Sequence, residues 1–99
     1  MPMLPPETTV NELGYQLLRA GQIDSALAAF RFNAEAYSSS ANVWDSLGDA
    51  LDRAGKKDEA IKTFKLVCDR FPKSGEGSWA HAHLNDKYKI SVTLGGAKD

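Results

Sequence analysis

The chain has 99 residues, with 12 basic and 13 acidic side chains and a net charge of −1. That length supports one compact core, and the balanced charge lacks the basic footprint of a nucleic-acid binder. No run of apolar residues is long enough to span a membrane, and the start, Met1-Pro2-Met3-Leu4-Pro5-Pro6-Glu7, lacks the basic-then-apolar pattern of a secretory signal.

Residues 1–6 are proline-rich and short, and are expected to be flexible. A first helix is expected over 8–20, where Val10, Leu13, Leu17 and Ala20 recur at three- and four-residue spacing. Thr9-x-x-Glu12 reads as a capping box at its start, and Gly21 follows its end, where a left-handed cap needs glycine. A second helix over 23–37 has Ile23, Ala26, Leu27, Phe30 and Tyr37 as its apolar stripe. The third, over 42–54, uses Trp44, Leu47, Leu51 and Ala54 and is closed by Gly55. The fourth, over 57–71, uses Ala60, Ile61, Phe64, Val67 and Phe71 and stops at Pro72. A fifth, over 76–88, contains Trp79, Ala80, Ala82, Leu84 and Tyr88. Beyond it Ile90, Val92 and Leu94 alternate with polar residues, a short extended pattern ending at Gly95-Gly96.

The halves of this pattern are copies. With residues 7–40 written above 41–74 and no gap, ten of thirty-four positions coincide: Leu13/Leu47, Gly14/Gly48, Leu17/Leu51, Arg19/Arg53, Ala20/Ala54, Gly21/Gly55, Asp24/Asp58, Ala26/Ala60, Phe30/Phe64 and Ser40/Ser74. Chance pairing gives roughly two. Gly14 and Gly48 lie inside helices, at a cost of about 1 kcal/mol each relative to alanine. Close approach of the paired helix explains them, with Ala26 and Ala60 as the expected opposing surfaces.

The second copy reads Trp44-x2-Leu47-Gly48-x2-Leu51, then Ala60-x3-Phe64 and Pro72, and closely resembles the tetratricopeptide repeat, with leucine where tyrosine is usual. The first copy departs from it, with Val10 at the tryptophan position and Ser38 at the proline position. The resemblance implies an all-α right-handed solenoid: repeat one over 7–40, repeat two over 41–74, a capping helix over 75–90 and a tail over 91–99. It also implies a protein–protein interaction module, in which the first helix of each repeat lines a concave groove. The residues placed there are Asn11, Tyr15, Leu18 and Arg19 from the first copy, Asp45, Asp49 and Asp52 from the second, and Trp79 and His83 from the cap, with Asp86 and Lys87 at its edge.

Asp45, Asp49 and Asp52, spaced by four and three residues, share one helix face and mutually repel. They occupy the face where tetratricopeptide domains that capture chaperone C-terminal carboxylates carry lysine and asparagine. A ligand of this groove is therefore expected to be a neutral or basic peptide or protein. Residues 40–50 also resemble the tetratricopeptide tail of some bacterial β-lactamase-like serine hydrolases, which would make the chain a non-catalytic accessory segment and would suit a periplasmic location.

No enzyme template is matched. The chain has no phosphate loop, no nucleophile elbow and no paired-cysteine or His-Glu-x-x-His metal motif, so neither catalysis nor a cofactor is expected. Cys68, the single cysteine, cannot form an internal disulfide and points by default to a reducing, cytoplasmic compartment. It sits on the flank of a packed stripe, where a structural thiol is expected. His81 and His83, two apart on a helix, point away from each other and cannot share a metal locally. Two repeats are a short stack, and apolar surface expected at Val10, Leu18 and Tyr15, and at Ile90, Val92 and Leu94, suggests a homodimer.

Overall fold

A computed structural model describes residues 4–95. The expectations for residues 1–3 and 96–99 lie outside the described residues. Among the described residues there are five helices and no strand: α1 (Glu7–Arg19), α2 (Ile23–Ala36), α3 (Ala41–Arg53), α4 (Lys57–Arg70) and α5 (Gly75–Tyr88). None is long and apolar enough to cross a membrane. Helices α1, α3 and α5 begin at residues 7, 41 and 75, so the thirty-four-residue period extends through the cap.

The turns inside each pair are set by glycine. Gly21 and Gly55 have φ of 80° and 77°, values that cost a side chain dearly. At each, two backbone bonds close the helix end: Gly21 N–H to Leu18 O and Gln22 N–H to Leu17 O, then Gly55 N–H to Asp52 O and Lys56 N–H to Leu51 O. This is the Schellman arrangement. The helix after each turn then runs back antiparallel to its partner.

What holds each pair at close range is a glycine against a phenylalanine ring. A Cβ on Gly14 would lie 2.6 Å from Cζ of Phe30, and one on Gly48 would lie 2.7 Å from Cε1 of Phe64. Both rings are wholly buried. The close approach expected at these glycines is present, but the opposing surface is the ring rather than Ala26 or Ala60. Those two alanines are themselves fully buried within the same core. At the equivalent position of α5 stands Ala82, exposed, because no further paired helix approaches it.

Several other expectations are corrected. Helix α1 starts at Glu7, three residues earlier than a Thr9 cap requires, with Pro6 (φ −59°, ψ 146°) as its N-cap and no side-chain cap. Proline's fixed φ starts the helix upstream and leaves Thr9 inside the first turn. Leu13, expected in the buried stripe, is 48% exposed, whereas its equivalent Leu47 is buried. Repeat one covers Val43, Ser46, Leu47 and Ala50 of α3, while nothing covers their counterparts Thr9, Glu12, Leu13 and Gln16 on α1. Three of those four counterparts are polar, which fits a face turned to water.

The surfaces behind the homodimer expectation are largely used within the chain. Val10 is buried, and Tyr15 and Leu18 pack against the core. After α5 the chain turns through Lys89 in a left-handed conformation. Ile90, Val92 and Leu94 then pack against the core, and Gly95 N–H donates to the Cys68 carbonyl at 2.8 Å. Among the described residues, 90–95 thus form no ladder and lie against the end of the stack. Cys68 lies beneath this region at 1% exposure, not on a flank, with burial pushing its thiol pKa up.

Gly48→Ala is expected to lower stability by on the order of 1–3 kcal/mol through overpacking against Phe64, overriding the helix-propensity gain of about 1 kcal/mol. Urea unfolding measures it. An unchanged or raised midpoint would show that the ring can move aside.

Candidate functional site

Helix α3 packs against both α1 and α5, while α2 and α4 meet each other through the exposed Arg31–Glu59 ion pair. First helices that approach more closely than second helices bend the stack toward the α1–α3–α5 side. That side carries the expected groove residues, and a ladder of polar contacts runs along it.

Between α1 and α3, the Tyr15 hydroxyl donates to Asp49 Oδ2 at 2.9 Å. Arg53 Nε donates to Asp49 Oδ1 at 3.1 Å, one helical turn away, with its guanidinium 6.0 Å from the Tyr15 ring centre. Burial first, and then the neighbouring Asp49 and Asp45 charges, push the Tyr15 pKa up to about 12 despite an opposing hydrogen bond with Ser46. Tyr15 is therefore a fixed neutral donor, and Asp49 is a satisfied acceptor. Its T-shaped contact with Phe30, 4.9 Å between ring centres, ties this face to the core.

Between α3 and α5, Asp52 gathers three donors. Lys87 Nζ lies 2.9 Å from Oδ1, the Tyr88 hydroxyl also donates to Oδ1, and His83 Nε2 lies 2.8 Å from Oδ2. An acceptor-only carboxylate requires the proton on Nε2. Burial alone would raise the Asp52 pKa, but the hydrogen bonds from Tyr88, Lys87 and His83 outweigh it and hold the carboxyl below its ordinary value. His83 is also stacked on Trp79, with ring centres 4.5 Å apart and planes 14° apart, and meets Phe64 edge-on. Asp52 is thus a clamp fastening α5 to α3, not the open floor residue expected of it, and Lys87 is drawn inward to it.

Asp45 differs. Its Oδ1 is enclosed by protein and has no hydrogen-bond partner, and the same holds for Oδ1 of Asn11 at the equivalent position of α1. The neighbours of Asp45 include the Asp49 and Glu76 carboxylates. Burial, then these two charges, raise its pKa from 3.8 to about 6, against a smaller opposing pull from His83. On α5 the equivalent position is Trp79, 47% exposed. Glu76, Trp79 and His83, spaced by three and four, share one face of that helix.

The nominated residues therefore divide. Tyr15, Asp49, Asp52 and His83 make the ladder across three helices, with Trp79 stacked on His83, while the Oδ1 atoms of Asn11 and Asp45 stay outside its hydrogen bonds. Leu18 packs against the core and Arg19 is exposed without a side-chain contact on this face. Sequence reasoning missed Glu76 as a groove-face group and Tyr88 as a clamp donor. The Glu76-Trp79-His83 spacing was the available signal for the first. Two open depressions, of about 420 and 460 Å³, lie elsewhere, at Glu7 with residues 36–40 and at residues 55–59. Glu7 is internally satisfied there by the Ser40 hydroxyl at 2.7 Å.

The fold and this layout define an all-α helical-repeat protein. Residues 45–74 match the family model described as Tetratricopeptide repeat, in agreement with the register of α3 and α4. No curated protein and no solved structure matches the chain. Repeats of this kind generally serve as protein–protein interaction modules.

A carboxyl whose pKa rises on folding stabilises the fold fully only below its unfolded value and loses that stability as the pH rises through its folded value. Asp45→Asn should therefore raise stability at about pH 7.5 by on the order of 1–2 kcal/mol, and the gain should vanish near pH 3.5. Thermal unfolding at the two pH values checks this; an equal shift at both would show that Asp45 ionises normally.

Proposed function

We propose that the chain captures a basic or neutral peptide segment of a partner protein in a groove formed by the α1–α3–α5 face. The observation that supports this most is the half-buried Asp45 carboxylate, whose enclosed Oδ1 has no donor and which lies beside Glu76, with Trp79 nearly half exposed on the same face. Two side-chain cations of the face are already committed, Arg53 to Asp49 and Lys87 to Asp52. The counter-charge that Asp45 lacks is one a ligand can bring, and Trp79 offers an aromatic wall for an aliphatic stem or a cation. Tyr15 and the Asp52 clamp hold the helices in place and are scaffold to this site. The serine-hydrolase accessory reading rests on residues 40–50 alone.

Fluorescence anisotropy with a labelled lysine-rich octapeptide tests the proposal. Binding is expected to weaken with salt, and Asp45→Asn/Glu76→Gln should reduce it by about tenfold or more. These replacements keep side-chain shape and leave the Asp52 clamp intact. Equal affinity of variant and parent at low salt would contradict the groove.

Self-association is a second reading, supported by Leu4, Leu13 and Phe32, which are 55%, 48% and 42% exposed. Ile90, Val92 and Leu94 of the tail are partly buried against the core, which leaves less of their apolar surface for such an interface. Sedimentation equilibrium decides it: a homodimer that Leu13→Gln/Phe32→Gln dissociates supports this reading, and a monomer of the 10.8 kDa chain removes it.

A further inference from the structure

We propose that capture on this face is gated by one proton at Asp45: a cationic group of the bound peptide is the counter-charge the carboxylate lacks, and where the carboxyl is protonated that proton must first leave to solvent. The inference rests on the groove proposed above and concerns its regulation.

The geometry isolates Asp45 among the acids of the face. From α1 it faces Tyr15, whose hydroxyl is spent on Asp49, and neutral tyrosine supplies no charge. On its own helix it faces Asp49, already paired with Arg53. From α5 it faces Glu76, a second like charge, and His83, whose Nε2 is committed to Asp52. Oδ1 of Asp45 receives no hydrogen bond. An enclosed carboxylate with like charges around it and no donor relieves its cost in one of two ways, by taking up a proton or by acquiring a cation.

These two events compete. With a folded pKa of about 6, the carboxyl is charged at neutral pH and largely protonated one unit below that value. Linkage then weakens a ligand that needs the charged form by about tenfold between pH 7.5 and pH 5.

The test measures binding of the labelled lysine-rich octapeptide at about pH 7.5 and about pH 5, to the parent and to Asp45→Asn, beside a carboxyl-carbon NMR titration of Asp45. The gate predicts about tenfold weaker binding by the parent at the lower pH. It also predicts an Asp45 midpoint near 6 that falls when peptide is bound. Asp45→Asn should bind at both pH values as weakly as the parent does at the lower one. An Asp45 midpoint in the ordinary carboxylate range with pH-independent binding overturns the gate and leaves the groove standing. A pH dependence that survives in Asp45→Asn assigns it to another group and overturns the gate. Failure of the peptide to bind at either pH removes the groove, and the gate with it.

Discussion

The contact of a helical glycine with a buried phenylalanine ring fixes the geometry of each repeat. Gly14 meets Phe30 and Gly48 meets Phe64, at the same place in two hairpins thirty-four residues apart. The missing Cβ lets the two helix axes approach, and the ring fills the space so gained with close-packed contact. From that approach follow the burial of Ala26, Leu27, Ala60 and Val67 along the same seam and the side each first helix turns outward. The cost of glycine within a helix is offset by this packing, and a Cβ there would sit closer to the ring than van der Waals contact allows.

The second constraint joins repeats rather than helices within one. Tyr15 bonding to Asp49 links α1 to α3, and the Asp52 cluster links α3 to α5. Both lie on the α1–α3–α5 side, so the contacts that join the helices there also consume most of the charge on that face. Three aspartates that repel one another on an isolated helix become, in the stack, two satisfied acceptors and one unsatisfied one.

Much of the fold was legible because the repeat marks its own boundaries. The glycines after α1 and α3 and the proline after α4 placed every helix end within a residue or so, and the period placed α5. The start of α1 misled because Thr9-x-x-Glu12 satisfies a capping pattern, while proline at position 6 permits an earlier start that the pattern does not register. Ala26 and Ala60 were expected opposite the glycines because small residues suit close helices. A ring one turn further along reaches the same gap, and its reach depends on rotamer and crossing angle, which spacing does not encode. The face of Asp45, Asp49 and Asp52 followed from helical periodicity alone. Their different fates did not, since Lys87, Tyr88 and His83 arrive from a helix whose angle to α3 is a tertiary property. The tail was ambiguous because alternating apolar residues suit both a strand and an irregular segment lying on a core.

The central claim is that each repeat closes on a glycine–ring contact in a common register. The most direct measurement is the set of through-space proton contacts of Gly14 and Gly48 in the NMR spectrum. The structure predicts strong contacts from the Gly14 α-protons to the Phe30 ring and from the Gly48 α-protons to the Phe64 ring, with both glycines shifted by the ring currents. Contacts from Gly48 to the Ala60 methyl group without any to Phe64, or unlike patterns at the two glycines, would contradict it.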